Sequence, residues 1–517
     1  MQRHGSETFF VIGEGFLGES VGGREDRTGR VLARAAAAPA PPPFRFSRMG
    51  PKGNRRQLPE ATLRKLAEAI VAARGRPSGI PSGFTYLGQF IDHDLTFDKT
   101  DVTLGENVSP ALLVQARSPS LDLDSLYGAG PNDPESARFY EPDGIHLRRG
   151  KTDAIEGIPA KDGFDLPRGA GNTAAKKRRA IIPDPRNDEN LAVAQTHCAF
   201  IRFHNRVVDT LPASVPPAQR FARARKLVTQ HYQWMIRTDF LPRVCAEGVV
   251  NDVFRNGRKA FERGASMDAP TMPIEFSIAG YRLGHSMIRA AYNWNKIFDF
   301  GGGTLDLLFT FSGLSGNLGG GQRLPSNWIA DFRRLYRFGR SNLQVSEGKF
   351  NEAMRIDTNL VKPLGRLPGF PARDANLAFR NLSRARMVKL ATGQQMVRFL
   401  KNKGARVTQL KKTQVRDGRN GAMLDSLTRA QREAVLRDTP LWFYVLREAE
   451  LNQGRLKGVG ARVVAETFHR AMQGSQISIL RDSGFRPTFG PNSRTFRMED
   501  LLLFAFEGKR SLLAPLG

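Results

Sequence analysis

Between Phe84 and Asp98 the sequence reads FTYLGQFIDHDLTFD, and no other stretch limits the chain's options as much. It sets Gln89, Asp92, His93 and Asp94 among Phe84, Tyr86, Leu87, Phe90, Ile91, Leu95 and Phe97. Read as a helix, Gln89, Asp92 and His93 are three or four residues apart and share a face. Asp94 lies about 200° around from Asp92 and points elsewhere. A helix with a solvated polar side is the plain alternative. So many large apolar neighbours leave little room for a wet face, and a buried carboxylate or imidazole needs a partner. One face is therefore expected to serve a reaction centre while the other reaches a second site.

The chain is long enough to enclose such a site: 517 residues, 40% hydrophobic, an ordinary globular composition. Its formal charge of +28 invites a nucleic-acid or anionic-surface partner. No zinc finger or other nucleic-acid module accompanies that charge, so polyanion contact is expected as a surface property and not as the main function. The excess Arg and Lys would coat the surface or pair with buried anions such as cofactor carboxylates. The two cysteines, Cys198 and Cys245, stand in no CxxC or Cys/His spacing. That excludes a disulfide framework and favours buried thiols. No run of about 18 apolar residues exists, so no membrane span is expected. The N-terminus lacks the basic start and apolar core of a standard signal peptide. Location stays open between the cytoplasm and non-classical export.

Residues 1 to about 45 read as a tail, rich in Gly and Arg and ending in AAAAPAPPP at 35–43, a composition that favours an extended connector. FRFSRMG at 44–50 is expected to begin the folded body. A helix is predicted over 58–74 from the spacing of Leu63, Leu66, Ile70 and Val71. Residues 129–185 read as irregular. A long helix is expected over 183–211, capped by Asp184 or Asn187, with Arg186 and Glu189 at its start. The next covers 219–243 and stops at Pro242. Another covers 274–290, where Arg282 and His285 share a face and Gly284 would admit something flat and bulky. The bland reading of His285 is a satisfied core histidine. The glycine runs at 301–303 and 319–321 precede no helix with a Lys, so no phosphate loop is supported. Residues 374–399 read as one helix with Asn381 and Arg384 on a common face. The basic stretch 401–420 reads as an exposed loop. Helices at 427–437, 440–450 and 460–474 complete the body. Long alternating Val/Ile runs are absent, so the fold class is mainly α.

SPSLDLDSLYG at 118–128 places Ser118, Ser120, Asp122 and Asp124 at two-residue intervals. In an extended loop these share one side, and hard oxygen ligands grouped this way suit Ca²⁺. The sixth-position Gly and twelfth-position Glu of an EF-hand are missing. A polar loop with Asx turns is the alternative.

Five segments then occur together and in one order: GQFIDHDLTFD, SPSLDLDSLYG, DPRNDENLAVAQTHCAFIRFHNRVV, YRLGHSMI and NLSRARMVKLATGQQM. With them, the chain resembles the peroxidase–cyclooxygenase superfamily, often called animal haem peroxidases, and its bacterial members in particular, over roughly residues 45 to 510. TPLWFYVLREAE at 439–450 and GARVVAETF at 460–468 also look like bacterial relatives. The resemblance implies a single helical domain over 46–517, built around a haem sandwiched between distal and proximal helices. It implies His93 as distal histidine, Arg186 as distal arginine, and Gln89 as the glutamine that holds distal water or halide. His285 would be the proximal ligand of the haem iron, with Asn381 accepting its Nδ1–H. Arg282 and Arg384 would pair with haem propionates. Asp92 and Glu189 match carboxylates that esterify haem methyl groups in many relatives, which suggests a covalently held haem b; two hydrogen-bonding carboxylates beside noncovalent haem are the alternative. Asp94, Ser118, Ser120, Asp122 and Asp124 match the family's calcium site.

The implied activity is a haem peroxidase that uses hydrogen peroxide to oxidise small donors through an oxoferryl intermediate. Asn190 follows Glu189 where chloride-oxidising relatives place a Met bonded to haem. Iodide, bromide, thiocyanate or phenols are therefore the expected donors. Two rivals stand beside this reading. In a fatty-acid dioxygenase of the same superfamily a radical-forming Tyr lies three residues before the proximal His; here Arg282 holds that place and Tyr281 lies four before. The other rival is a non-catalytic polyanion-binding protein that keeps the fold.

Overall fold

A computed structural model describes residues 44–517 apart from Arg56, Asp101, Ala170, Met267 and Asp268. The expected tail of residues 1–45 therefore falls almost wholly outside the described residues. The body begins as expected, with strand β1 at Phe44–Ser47. β1 pairs antiparallel with Val114–Gln115 and parallel with Met272–Pro273. The remaining strands are equally short, and helices carry the fold, as the absence of alternating runs predicts.

Helix α1, Glu60–Ala72, buries Leu63, Leu66, Ala67 and Ile70. Helix α2, Gly83–Leu95, is the expected Phe84 stretch and is buried on every side except at Gly88. A helix that is apolar nearly all round has to sit inside other helices. Here Phe90 stacks on Phe200 at 4.3 Å, and its burial contributes roughly 1.5–3 kcal/mol. Gly83 is required by packing, since a Cβ there would come within 2.2 Å of the Tyr336 ring.

Four expected helices are interrupted, and the interruptions shape the site. The first, over 183–211, opens with a 3₁₀ turn at Pro185–Asp188, which Asp184 caps by accepting from the Arg186 N–H. The chain then extends at Asn190 before α3, Leu191–Asp209, begins. Asn190, not Asn187, caps α3, its side chain accepting from the Val193 N–H. Helix α4, Pro217–Met235, runs on through a π turn at Ile236–Phe240 into Leu241–Val244. Pro242 thus lies inside the last turn instead of ending the helix, because the widened π turn before it absorbs the missing donor.

Residues 274–290 do not form one α-helix. They make a π turn at Phe276–Gly280, a 3₁₀ turn at Tyr281–Leu283 and a single α-helical turn at Gly284–Met287. The helix expected over 374–399 is two: α5, Leu377–Met387, and α6, Gly393–Asn402. Lys389, at φ 48°, breaks the ladder between them, and Thr392 restarts it through a capping box with Gln395. The basic stretch 401–420 is only partly loop, with a helical turn over Lys412–Asp417. Buried Glu450 accepts from the Gly421 N–H at 2.9 Å and anchors the end of that stretch. Helices α7, Arg429–Arg437, α8, Leu441–Leu451, and α9, Gly458–Gly474, follow expectation. Both cysteines are free and buried.

Candidate functional site

A cavity of about 420 Å³ lies between α2 and the irregular segment Tyr281–Met287. Gln89 and Asp92 line it from α2; Arg282 and His285 line it from the other side. The irregular turns bring Tyr281, Arg282, Leu283, Gly284 and His285 all to the wall, where one regular helix would have turned part of that run away. A Cβ on Gly284 would meet nothing within 4 Å. The backbone there faces open space, as a bulky planar ligand requires.

On the α2 side, His93 Nδ1 lies 2.9 Å from Asn187 Oδ1. With that carbonyl as acceptor, the ring proton sits on Nδ1 and Nε2 keeps its lone pair. Nε2 is buried without a hydrogen-bond partner, and the nearest acid oxygen is Glu189 Oε1 at 3.6 Å. Gln89 Nε2 donates to the same Glu189 oxygen, and Asn190 Nδ2 donates to Gln89 Oε1 at 3.0 Å. His93 itself does not line the cavity. Glu189 Oε1 sits between it and the Gln89 amide. Burial pushes the Asp92 carboxyl above its usual range, against the pull of Arg282, His93 and Arg186.

Arg186 is fully enclosed. Its Nε and Nη2 donate to Asp184 at 3.0 and 2.7 Å, and Nη2 also reaches the His93 carbonyl at 2.9 Å. The guanidinium stands 4.1 Å over the Phe97 ring. Asp184 takes a further bond from Arg117 at 2.6 Å. Burial alone would raise the Asp184 carboxyl, but Arg186 and Arg117 hold it well below the usual carboxylate range.

Opposite, the Asn381 carboxamide meets His285 Nδ1 at 2.8 Å, through Nδ2. Asn381 Oδ1 is buried with no partner. A half-turn of the amide leaves its shape unchanged. It gives that orphan oxygen the Nδ1–H and puts the ring's lone pair on Nε2, the tautomer an iron ligand needs. Cavity, open glycine, lone-pair nitrogen and orphan oxygen together fit a haem.

Arg282 also lines the cavity, its Nε donating to Ser277 O at 2.8 Å. Arg384 departs from expectation. It donates to Asp98 Oδ2 at 2.8 Å in a nearly buried ion pair, so a protein carboxylate holds the group expected to meet a propionate.

Asp94 does leave the opposite face of α2. It accepts from the Leu123 N–H at 3.2 Å, the Ser125 N–H at 3.4 Å and the Tyr232 hydroxyl at 3.3 Å. Burial pushes its carboxyl up to about 8, with Asp124 and Asp122 adding to the rise. Asp124 is raised in the same way, by burial first. Ser118 and Ser120 share a hydrogen bond, and Ser120 donates to Asp122 at 2.9 Å. The Asp122 carboxylate accepts from the backbone of Gln476 and Ile477 at 3.0 and 3.3 Å. Among the described residues no three His, Cys, Asp or Glu side chains are grouped so as to hold a metal. Asp94 is buried, whereas Asp124 is half-buried and has Arg225 3.9 Å away.

Sequence reasoning missed Asn187 as partner of His93, Asp184 as holder of Arg186, Asn190 as partner of Gln89, and Asp98. Tyr281, whose buried hydroxyl has no hydrogen-bond partner at the cavity wall, was noted only for its spacing from His285.

Residues 99–299 match the animal haem peroxidase family. That segment holds Arg186, Glu189, His285 and the Ser/Asp loop. A peroxidase-like protein of Margaritifera margaritifera is 26% identical over 192 residues, covering 36% of this chain and 23% of that protein. The chain thus matches less than a quarter of that relative's length. Peroxidase A from Dictyostelium discoideum has a similar fold, with a TM-score of 0.60 at 15% identity over 92% of this chain and 93% of that one. The fatty acid alpha-dioxygenase of Arabidopsis thaliana gives a TM-score of 0.57 at 12% identity over 91% and 81%. The mainly helical fold is thus similar to that of a peroxidase over about nine-tenths of the chain, and the family match is confined to residues 99–299.

Proposed function

We propose that the chain is a haem peroxidase, folded as one domain over residues 46–517. In this reading His285 is the iron ligand and His93, Arg186 and Gln89 are the catalytic residues. The observation that carries it is a cavity lined by Gln89 and Asp92 on one side and His285 on the other, with His93 buried behind Gln89 and each imidazole Nδ1 held by an asparagine. Bound haem supplies an iron centre that stores the two oxidising equivalents of hydrogen peroxide. Residue chemistry does the rest. His93 Nε2, an unpartnered lone pair, takes the proton of the incoming peroxide and returns it to the departing oxygen, so that water leaves. Arg186 stabilises negative charge as the O–O bond opens. Its ion pair with Asp184 and its bond to the His93 carbonyl keep it fixed beside that histidine. Gln89 presents an amide N–H for water or a small anion. Asp92 and Glu189 are the carboxylates for ester links to haem, and Arg282 pairs with a propionate. Arg384 would do so in company with Asp98. Asp94 and Asp124, with Ser118, Ser120 and Asp122, form the calcium site.

Bromide, iodide, thiocyanate or phenols are the donors, because Asn190 offers no sulfur to a haem. Peroxide-dependent oxidation of bromide, thiocyanate and a phenol by the haem-loaded protein tests the reading. A second reading draws on Tyr281, whose unpartnered hydroxyl at the cavity wall suits a fatty-acid dioxygenase. Oxygen uptake with a fatty acid, and no peroxide-dependent oxidation, would favour it.

A further inference from the structure

Asn190 carries two hydrogen bonds that together fix a direction. Its Oδ1 accepts from the Val193 N–H at 2.9 Å, and its Nδ2 donates to Gln89 Oε1 at 3.0 Å. A backbone N–H can only donate. The Asn190 oxygen must therefore face Val193, and its NH₂ must face Gln89. Gln89 Oε1 is then the only end of that amide able to accept, so its NH₂ is turned onto Glu189 Oε1. All three side chains are buried, so water does not substitute for a lost partner at low cost. The usual ambiguity of an amide's orientation is removed step by step, starting from a helix end.

We infer that Asn190 is a positioning residue. As the N-cap of α3 it sets the polarity of the Gln89 amide, so that the cavity wall at Gln89 offers an N–H and not an oxygen. This rests on Gln89 being part of the peroxidase site, and it goes beyond that reading by naming what holds Gln89 in a donating orientation. A wall that donates suits a small anion, whereas an inverted amide would repel one. Asn190 thereby contributes to donor choice without touching the donor.

The test separates capping from orientation. Asn190→Ser keeps a cap oxygen for Val193 but removes the amide donor, whereas Asn190→Ala removes both. In haem-free protein labelled with ¹⁵N at glutamine side chains, the Gln89 NH₂ signals are those missing from Gln89→Met. The wild-type chain should show two distinct, slowly exchanging protons. In N190S they should exchange faster and average, even though N190S melts closer to the wild type than N190A does. Thiocyanate titration of haem-loaded ferric N190S without peroxide, followed at the Soret band, should show affinity about tenfold weaker, the effect of losing one buried hydrogen bond. Unchanged Gln89 signals in N190S would overturn the inference, whatever the melting temperatures. Absence of any Soret band would instead count against the haem reading, and the haem-free spectra would still decide the role of Asn190.

Discussion

His93 Nδ1 and Asn187 Oδ1 lie 2.9 Å apart inside a fully buried site. With the Asn187 oxygen as acceptor, the ring proton is on Nδ1 and the basic nitrogen, Nε2, is turned away from Asn187. If that lone pair moves the peroxide proton, His93→Gln should keep its haem and react with peroxide about 10²–10⁴-fold more slowly. Asn187→Leu should show a smaller loss, because the ring remains but its tautomer is no longer set. Stopped-flow mixing with peroxide measures both, and a wild-type rate in H93Q would remove His93 from the chemistry.

The calcium reading makes a prediction free of any haem assay. Asp94 is buried and Asp124 half-buried, and burial together with neighbouring carboxylates (Asp124 and Asp122 on Asp94, Asp122 on Asp124) raises both, so a divalent cation should bind there and stabilise the fold. Calcium at a hundredfold its Kd would add about 2.7 kcal/mol. Calorimetry of chelator-treated protein, with and without CaCl₂, should show a higher Tm with the ion. Asp124→Asn should blunt that rise. Equal melting with and without calcium in the wild-type chain would contradict the site.

Acid sensitivity should come from neutral buried histidines. His231 donates from Nδ1 to Leu227 O at 2.7 Å and accepts at Nε2 from the Thr488 N–H at 2.9 Å. Burial pushes its pKa down to about 4, and does the same to His204. Below about 6.5 the unfolded chain takes up protons that the folded one refuses. Stability is therefore complete above that pH and is lost as pH falls from about 6.5 towards 4. His231 alone accounts for about 3 kcal/mol of that loss. Denaturant unfolding across this range should show the slope, and His231→Gln should flatten part of it. A flat wild-type profile would refute the assignment.

How far the sequence foretold this arrangement depended on the range of the forces involved. Helix α2 was legible because local apolar spacing and a crowded neighbourhood both demand a buried helix, and Asp94 duly leaves the other face. The break before α3 was not, since helical spacing continues across it. The only local sign was an Asn directly before Leu191, a cap residue in a place that spacing alone would read as helix interior. Ion pairing between Arg384 and Asp98 joins residues 286 apart, and nothing near either one announces it. The Tyr281–Met287 irregularity also escaped notice, because π and 3₁₀ turns carry no period distinct enough to read. His285 and Asn381 were paired in advance only through the family resemblance, never by spacing.

Asp92 and Glu189 stand at or beside the cavity wall, both nearly without solvent. If they esterify haem, acid–acetone treatment should leave the pigment with the protein. Asp92→Asn together with Glu189→Gln should release it into the solvent. Haem that leaves the wild-type protein under the same treatment would establish noncovalent binding.

The central claim is that His285 and His93 face one another across a haem. It is tested most directly by the visible spectrum of protein produced with ample haem, recorded before and after hydrogen peroxide. The account predicts a Soret band that shifts on adding peroxide, with the shift slowed in His93→Gln and the band weakened or lost in His285→Ala. A wild-type protein with no Soret band would contradict it.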